Sequence, residues 1–197
     1  MQVHRLELKC FTTAPANFAP AQLIPIFHDW VRTQPFDELL IDVADYQHVH
    51  HGPAVLLVGH AFDVVYDLSD GEAGLALVGK RALTGDVSEK LRGAFVRLSQ
   101  VAQALAAPPA QGGVALEAPG ERWQLRLLDG LHGKDTEANA IALAQQVQAV
   151  LDAGPGTCKA TCTRHARRAA PLCLQIELAP ALPWQAWAGD RAATDRA

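Results

Sequence analysis

The chain lacks the features of a membrane or secreted protein. It contains no run of about 18 apolar residues, the length that a membrane-spanning helix needs. Met1–Lys9 has no basic region followed by an apolar run, so a strand is expected there and not a secretion signal. The four cysteines match no zinc or redox spacing. Reduced thiols and a cytoplasmic location are therefore predicted.

The chain also lacks a strong excess of either charge. Its 17 basic and 21 acidic residues leave a formal net charge of −4, which does not favour the phosphate backbone of a nucleic acid. The hydrophobic share of 49% is ordinary for a globular protein. Arg outnumbers Lys and Ala is abundant, as is common in GC-rich bacteria. We expect a folded bacterial protein that does not bind nucleic acid.

Established catalytic motifs are absent as well. The chain has no Gly-x-Ser-x-Gly, no phosphate loop, no His-Glu-x-x-His and no His-x-His-x-Asp-His. No reaction can therefore be inferred from a motif, and candidate residues have to be found from their placement.

The order of predicted elements favours an α+β fold with a mixed β-sheet and about three helices. The order is strand-helix-strand-strand-strand-helix, followed by strand-strand-helix-strand-strand. Each half contains a strand-helix-strand-strand unit, which suggests two pseudo-related halves. We expect one domain over 1–197, with sub-halves 1–106 and 114–180 and a C-terminal tail at 181–197.

The strand predictions follow from apolar patterning. Val3–Thr12 and Glu38–Tyr46 flank the first helix, so they are expected to pair in parallel through a right-handed crossover. Ala54–Leu68 is apolar enough for one long strand that bends near Gly59. Asp70–Gly74 predicts a hairpin connection. Later strands are expected at Val114–Glu117, Arg122–Leu128, Cys158–Arg164 and Leu172–Leu178.

The helix predictions rest on caps and spacing. Pro25 is tolerated only in a first turn, so the first helix is expected to begin near Ala21 to Ile24 and to end near Thr33. Asp86 and Glu89 can form a capping box for the second helix. The third, Thr136–Leu151, is expected to bury one face. This face consists of Ala138, Ile141, Leu143 or Ala142, Val147, Val150 and Leu151.

Three segments of the first half resemble a family of uncharacterised bacterial proteins. They are Ile24–Val31 (IPIFHDWV), Leu40–Val49 (LIDVADYQHV) and Gly52–His60 (GPAVLLVGH). The second half resembles the family less, because its sequence differs after the strand at Trp123–Leu128. The resemblance implies no activity, but it draws attention to Asp42, Asp45, Tyr46, His48 and His60.

Four of the eight histidines lie between Asp37 and Arg81. His48 and His50 point the same way in an extended segment, and His51 can turn inward at the bend. Neutral imidazole binds divalent transition metals such as zinc, iron, nickel and copper. A metal site at these histidines, with Asp45 or His60 as a further ligand, is one interpretation, and a solvated His-rich turn is the other.

Asp42 and His60 are the remaining candidates for chemistry. Asp42 lies on an otherwise apolar strand, where a buried carboxylate must be paired or neutralised. His60 lies in an apolar strand and is expected to be a core or boundary residue. An imidazole near Asp42 or Asp45 could also act as a general base.

Two function classes follow. The favoured one is a non-catalytic accessory or interaction protein of a bacterial cytoplasmic system, assembled as a homo-oligomer or with a protein partner. The alternative is a metal-dependent or acid–base enzyme that uses the His48/His50 corner with Asp42, Asp45 or His60. Trp184 and Trp187 near the C-terminus are expected to dock on the chain's own core or on a partner.

Overall fold

A computed structural model describes residues 3–50, 52–80, 85–129, 134–154, 157–165, 171–182 and 187. Eight strands form one sheet, and three α-helices accompany it, which confirms the α+β class. The strands are β1 Leu6–Phe11, β2 Leu40–Asp45, β3 Pro53–Gly59, β4 Phe62–Asp67, β5 Gly74–Gly79, β6 Arg122–Leu127, β7 Lys159–Arg164 and β8 Cys173–Ala179. The helices are α1 Leu23–Thr33, α2 Val87–Ala106 and α3 Glu137–Asp152.

The sheet order is β2-β3-β4-β5-β1-β6-β8-β7. Every pairing between the described strands is antiparallel, so the prediction of a mixed sheet is wrong. The expected parallel pair is also wrong, because β3, β4 and β5 lie between β1 and β2. Short hairpins return the chain strand by strand from β2 towards β1, and they fill the space that a parallel neighbour would occupy.

Two units of similar topology share the sheet. In each, a central strand leads through a helix to an edge strand, and the chain then returns towards the centre. The first unit runs from β1 through α1 to β2, and the second from β6 through α3 to β7. The two units meet at the central antiparallel pair of β1 and β6, where Leu6 lies opposite Leu127.

The segment Ala54–Leu68 forms two strands and not the single bent strand that was expected. A tight turn at His60 and Ala61 separates β3 from β4, which pair with each other. A side chain at Gly59 would place its Cβ 2.3 Å from the carbonyl oxygen of Phe62, so only glycine fits there. The turn is hard to recognise in the sequence because apolar residues dominate on both sides of it, as both strands contribute to the core.

The segment Val114–Glu117 is not a strand either. Its only ladder contact is an isolated bridge between Thr13 and Glu117. The N–H groups of Val114 and Leu116 both donate to the carbonyl oxygen of Leu105. The segment therefore closes the C-terminal end of α2 by satisfying a carbonyl that the helix leaves free.

The helix termini agree with the sequence signals. Pro25 lies in the first turn of α1, where its missing N–H costs no helical hydrogen bond. The Asp86 carboxylate accepts from the N–H of Glu89, and the Glu89 carboxylate accepts from the N–H of Asp86, both at 2.8 Å. The capping box is thus confirmed. None of the helices in the described ranges is both long and apolar enough to cross a membrane.

The buried face of α3 differs in part from the predicted face. Ile141 is 52% exposed, and Ala138 is also exposed. Small apolar residues occur all round this helix, so the spacing did not separate two adjacent faces. The residues that the helix buries are Ala140, Leu143, Val147, Val150 and Leu151.

The C-terminal Trp187 packs in the chain's own core. It is fully buried, and its ring stacks on Phe95 with centroids 5.3 Å apart. Phe95 in turn meets Trp123 of β6 edge to face at 5.1 Å. Trp187 therefore anchors the tail to α2, whereas Trp184 lies outside the described residues.

A buried ion pair lies on the other face of β1. The Lys9 ammonium donates to the Asp67 carboxylate at 2.6 Å and to the carbonyl oxygen of Glu72 at 2.8 Å. Lys9 is only 2% exposed and Asp67 only 8% exposed. The pair fixes the connection between β4 and β5 against the sheet.

Candidate functional site

The predicted histidine corner is an exposed turn between β2 and β3. Its backbone is closed by hydrogen bonds from the N–H of Tyr46 to the carbonyl of Ala54 and from the N–H of Val49 to the carbonyl of Tyr46. The Asp45 carboxylate accepts from the backbone N–H and the side-chain amide of Gln47. These hydrogen bonds lower the pKa of Asp45, and the nearby His48 adds to the effect. Asp45 is thus a turn-stabilising carboxylate.

His48 and His50 are both exposed in this turn. The His48 ring stacks on Tyr46 with centroids 6.0 Å apart and an interplanar angle of 18°. Among the described residues, no group of three or more His, Cys, Asp or Glu side chains is arranged to hold a metal ion. His51 lies outside the described residues, so a metal at this corner stays a prediction.

His60 lies at the other end of β3 from the His48/His50 turn. A seven-residue strand spans roughly 20 Å, so the structure does not bring His60 to that corner. Its backbone N–H donates to the carbonyl of Leu39, and its side chain is exposed. The expectation of a core or boundary histidine is wrong, because residue 60 falls in a hairpin turn.

Asp42 is exposed, so the expectation of a buried carboxylate is also wrong. A register shift between Leu40 and Asp42 inserts one residue into β2, and such a bulge resets which side chains face the core. The Asp42 carboxylate accepts from the N–H of Val43 at 2.8 Å. One backbone N–H at the sheet edge, that of Val43, is therefore already hydrogen-bonded.

Residues 37–50 run along β2 and its turn, and most of them are exposed; we call this segment the acidic edge. The segment contains four acidic residues and no Lys or Arg. In the described part of the chain, six large apolar residues are exposed, and four of them lie in this strip. These four are Leu39 at 60%, Ile41 at 51%, Tyr46 at 41% and Val49 at 41%.

Glutamine side chains cover the backbone at both edges of the sheet. At β2, the Gln34 amide donates to the carbonyl of Leu40 at 2.8 Å and accepts from its N–H at 2.9 Å. At β7, the Gln148 amide accepts from the N–H of Ala160 at 2.8 Å and donates to the carbonyl of Cys158 at 3.1 Å. Each amide thus makes one donated and one accepted hydrogen bond to the edge backbone, as a neighbouring strand would. Unpaired edges invite pairing with other chains, and these contacts reduce that risk.

Replacing both glutamines is expected to cause self-association. Gln34→Ala and Gln148→Ala each remove three hydrogen bonds, two of them to the sheet edge, so each should lower the free energy of unfolding by about 1–3 kcal/mol. The double variant should form higher oligomers because both sheet edges are then open. Urea unfolding and light scattering measure the two effects.

Gln111→Ala is the matched control for these variants. Gln111 is exposed, and its side chain makes no hydrogen bond in the described ranges. The control should leave both stability and light scattering unchanged. A double variant at Gln34 and Gln148 that scatters like the control would contradict the role assigned to the amides.

Three cysteines are poor nucleophiles. Burial raises the pKa of the Cys10 thiol to about 12, and it also raises the pKa of Cys158 and Cys162. A thiol attacks as its thiolate, so all three stay protonated at neutral pH. The cysteines therefore add no reactive group to the acidic edge.

The sequence interpretation missed the apolar part of the acidic edge. Leu39 and Ile41 fall within the predicted strand Glu38–Tyr46, and no local signal marks the bulge that exposes Ile41. The acidic composition of 37–50 was a usable signal. No family model, curated protein or solved structure matches this chain.

Proposed function

We propose that this chain is a non-catalytic accessory protein of a bacterial cytoplasmic system, which binds a basic protein partner along the acidic edge. One observation carries the proposal: the net charge of the chain and four of the six exposed large apolar residues in its described part both fall in the acidic edge. Exposed apolar residues that cluster, and do not scatter singly, are typical of interaction surfaces.

The negative charge of the acidic edge favours a partner with a basic surface. Asp37, Glu38, Asp42 and Asp45 supply four of the 21 acidic residues. Outside the strip, the remaining 17 acidic residues equal the 17 basic ones in number. The formal charge of −4 is therefore that of the strip alone. A complementary surface is basic at its rim and apolar at its centre.

The hydrogen-bonded backbone of the acidic edge supports contact through side chains. Gln34 occupies both outward-facing groups of Leu40, and Asp42 occupies the N–H of Val43. A partner strand would have to displace these contacts, so binding through side chains is favoured over strand addition. Two copies that met edge to edge would oppose acidic residues with acidic residues, which favours a different protein as the partner.

A photo-cross-linking amino acid at position 41 tests the proposal. Ile41 is 51% exposed on the acidic edge, and Ile141 is 52% exposed on α3, so position 141 is a matched control. In cells of the source organism, position 41 should give a defined adduct and position 141 should not. Mass spectrometry should place the cross-link in a partner peptide that contains Lys or Arg.

Charge reversal separates a specific adduct from a chance one. Asp42→Lys combined with Asp45→Lys should reduce the adduct at least about tenfold, because like charges now meet across the interface. Both side chains are exposed, so the sheet should persist although the hydrogen bonds from Gln47 to Asp45 are lost, and circular dichroism checks this. An adduct that survives charge reversal, or one formed only with a second copy of the chain, would reject the basic partner.

A further inference from the structure

A second, smaller set of apolar side chains lies on the face of the sheet that is turned away from the main core. Val64, Leu75 and Leu77 belong to the core cluster that also contains the buried residues of the helices. Their neighbours along β4 and β5, Val65 and Ala76, are only 6% and 2% exposed but do not belong to that cluster. Since successive side chains of a strand point to opposite faces, Val65 and Ala76 lie on the other face, which we call the outer face.

A hollow opens on the outer face at β3, β4 and β5. Its volume is about 240 Å³, which exceeds the roughly 150 Å³ of a cavity that binds benzene. Its floor includes Leu56, Val65, Ala76 and Val78. Leu56 lies opposite Val65, and Val65 lies opposite Ala76, so these three side chains form a continuous row. The hollow therefore has room for one aromatic side chain on an apolar floor.

The charged residues around the hollow are already paired. Three carboxylates line it, and each has a cation within 3.1 Å, in the pairs Asp63–Lys80, Glu7–Arg126 and Asp67–Lys9. Because these charges compensate one another, the rim offers little net attraction to a charged group. The apolar floor, in contrast, gains from being removed from water. The hollow thus suits an uncharged aromatic group better than an ammonium or a carboxylate.

The hollow adjoins the acidic edge. In the ladder between β2 and β3, Ala44 lies opposite Leu56 and Asp42 lies opposite Val58. Directly opposite residues of an antiparallel pair share a face, so Asp42 lies on the outer face as well. Neighbouring strands are about 4.8 Å apart, which places the hollow at β4 roughly 10 Å from β2. A protein bound along the acidic edge can therefore reach the hollow by lying across β3.

We propose that the basic partner of the acidic edge anchors an uncharged aromatic side chain in this hollow, an inference that rests on the proposed function. The basic residues of the partner meet the carboxylates of the acidic edge, and the aromatic ring packs on Leu56, Val65 and Ala76. Aromatic anchors that fill pockets carry much of the binding energy of protein interfaces. The docking segment of the partner thus combines Lys or Arg with an aromatic residue.

A second copy of this chain does not suit the hollow. In the described part of the chain, Tyr46 is the one exposed Phe, Tyr or Trp, at 41%. Tyr46 belongs to the acidic edge and follows Asp45 directly. Its insertion into the hollow of another copy would bring two acidic edges together, and like charges oppose association. The aromatic side chain is therefore assigned to a different protein.

Indole probes the hollow directly, because it is aromatic and uncharged. It should bind the full chain saturably, with a dissociation constant below about 10 mM, and should shift the methyl NMR signals of Val65 and Val78. Ala76→Leu fills the hollow and should abolish these shifts. Thr163→Leu is the matched control, since Thr163 is exposed and lies on the outer face at β7, in the cross-strand row that contains Ala76. Absence of indole binding, or equal binding to the Ala76→Leu variant, would overturn the proposal.

The cross-link at position 41 separates this proposal from the proposed function. Ala76→Leu should reduce the adduct at least about tenfold, although Asp42 and Asp45 are unchanged, and Thr163→Leu should leave it as it is. An adduct that persists in the Ala76→Leu variant would overturn the aromatic anchor and leave the proposed function intact. Absence of an adduct in the unsubstituted chain would reject the proposed function itself, and the anchor with it.

Val78→Phe fills the hollow in a second way, should Ala76→Leu fail to fold. Val78 is half-buried, so the larger ring can extend over the hollow without displacing the core, and circular dichroism checks the fold. The variant should lower both indole binding and the adduct at position 41. Indole binding and adduct formation at the level of the unsubstituted chain would contradict the anchor site.

Discussion

Lys9→Met should lower the free energy of unfolding by about 3–5 kcal/mol. The substitution keeps the length of the side chain and removes the ammonium group. The Asp67 carboxylate, at 8% exposure, then loses its cationic partner and keeps only the hydrogen bonds from Ser69, and a buried charge without a counter-charge is strongly destabilising. The carbonyl of Glu72 also loses a donor. Urea unfolding followed by circular dichroism measures the loss.

Two controls decide whether the unpaired charge is the cause. Lys9→Met combined with Asp67→Leu removes both charges and should recover most of the stability. Arg32→Met breaks the ion pair with Asp29, whose side chains are 73% and 54% exposed, and should cost less than about 1 kcal/mol. A cost for Lys9→Met as small as that for Arg32→Met would show that the buried pair does not stabilise the fold.

Trp187→Ala should lower the free energy of unfolding by about 3–5 kcal/mol. The ring is fully buried and stacks on Phe95, so its removal leaves a cavity between α2 and the chain after α3. Gly154 lies close by, because a Cβ there would be 2.6 Å from the Trp187 ring. Thermal and urea unfolding measure the effect.

Trp187→Phe is the graded control. It keeps an aromatic ring against Phe95 and removes the indole N–H, which is buried without an acceptor among the described residues. The cost should therefore fall well below that of Trp187→Ala. Equal costs for the two substitutions would show that the stacked ring contributes little, and a negligible cost for both would place Trp187 outside the core.

The helices were predictable because their signals are local. Pro25 marked the first turn of α1, and Asp86 with Glu89 marked the start of α2. The order of strands in the sheet was not predictable in the same way. Which strand lies beside β1 depends on contacts across about 70 to 120 residues of chain, and no short window carries that information. The hairpin at His60 was hidden because both flanking strands are apolar.

The candidate site was predictable only in part. The sequence drew attention to Asp42, Asp45 and His48, and these residues do lie along one exposed edge. Their roles were misjudged because the bulge at Leu40–Asp42 has no marker in the sequence. The guanidinium of Arg97 lies 4.8 Å from the centre of the Phe62 ring, and this contact was not predicted because an arginine in an amphipathic helix normally extends into solvent. Its position above Phe62 depends on packing between elements that are distant in sequence.

The central position of β1 has a consequence for synthesis on the ribosome. Leu6 pairs with Leu127, so roughly 120 further residues must be made before β1 meets its second neighbour, which takes about 6–24 s at typical translation rates. The other neighbour, β5, is made earlier and can pair with β1 about 70 residues after it, but until β6 is made the opposite edge of β1 stays unpaired. The nascent chain is therefore a candidate client for chaperones that bind extended apolar segments.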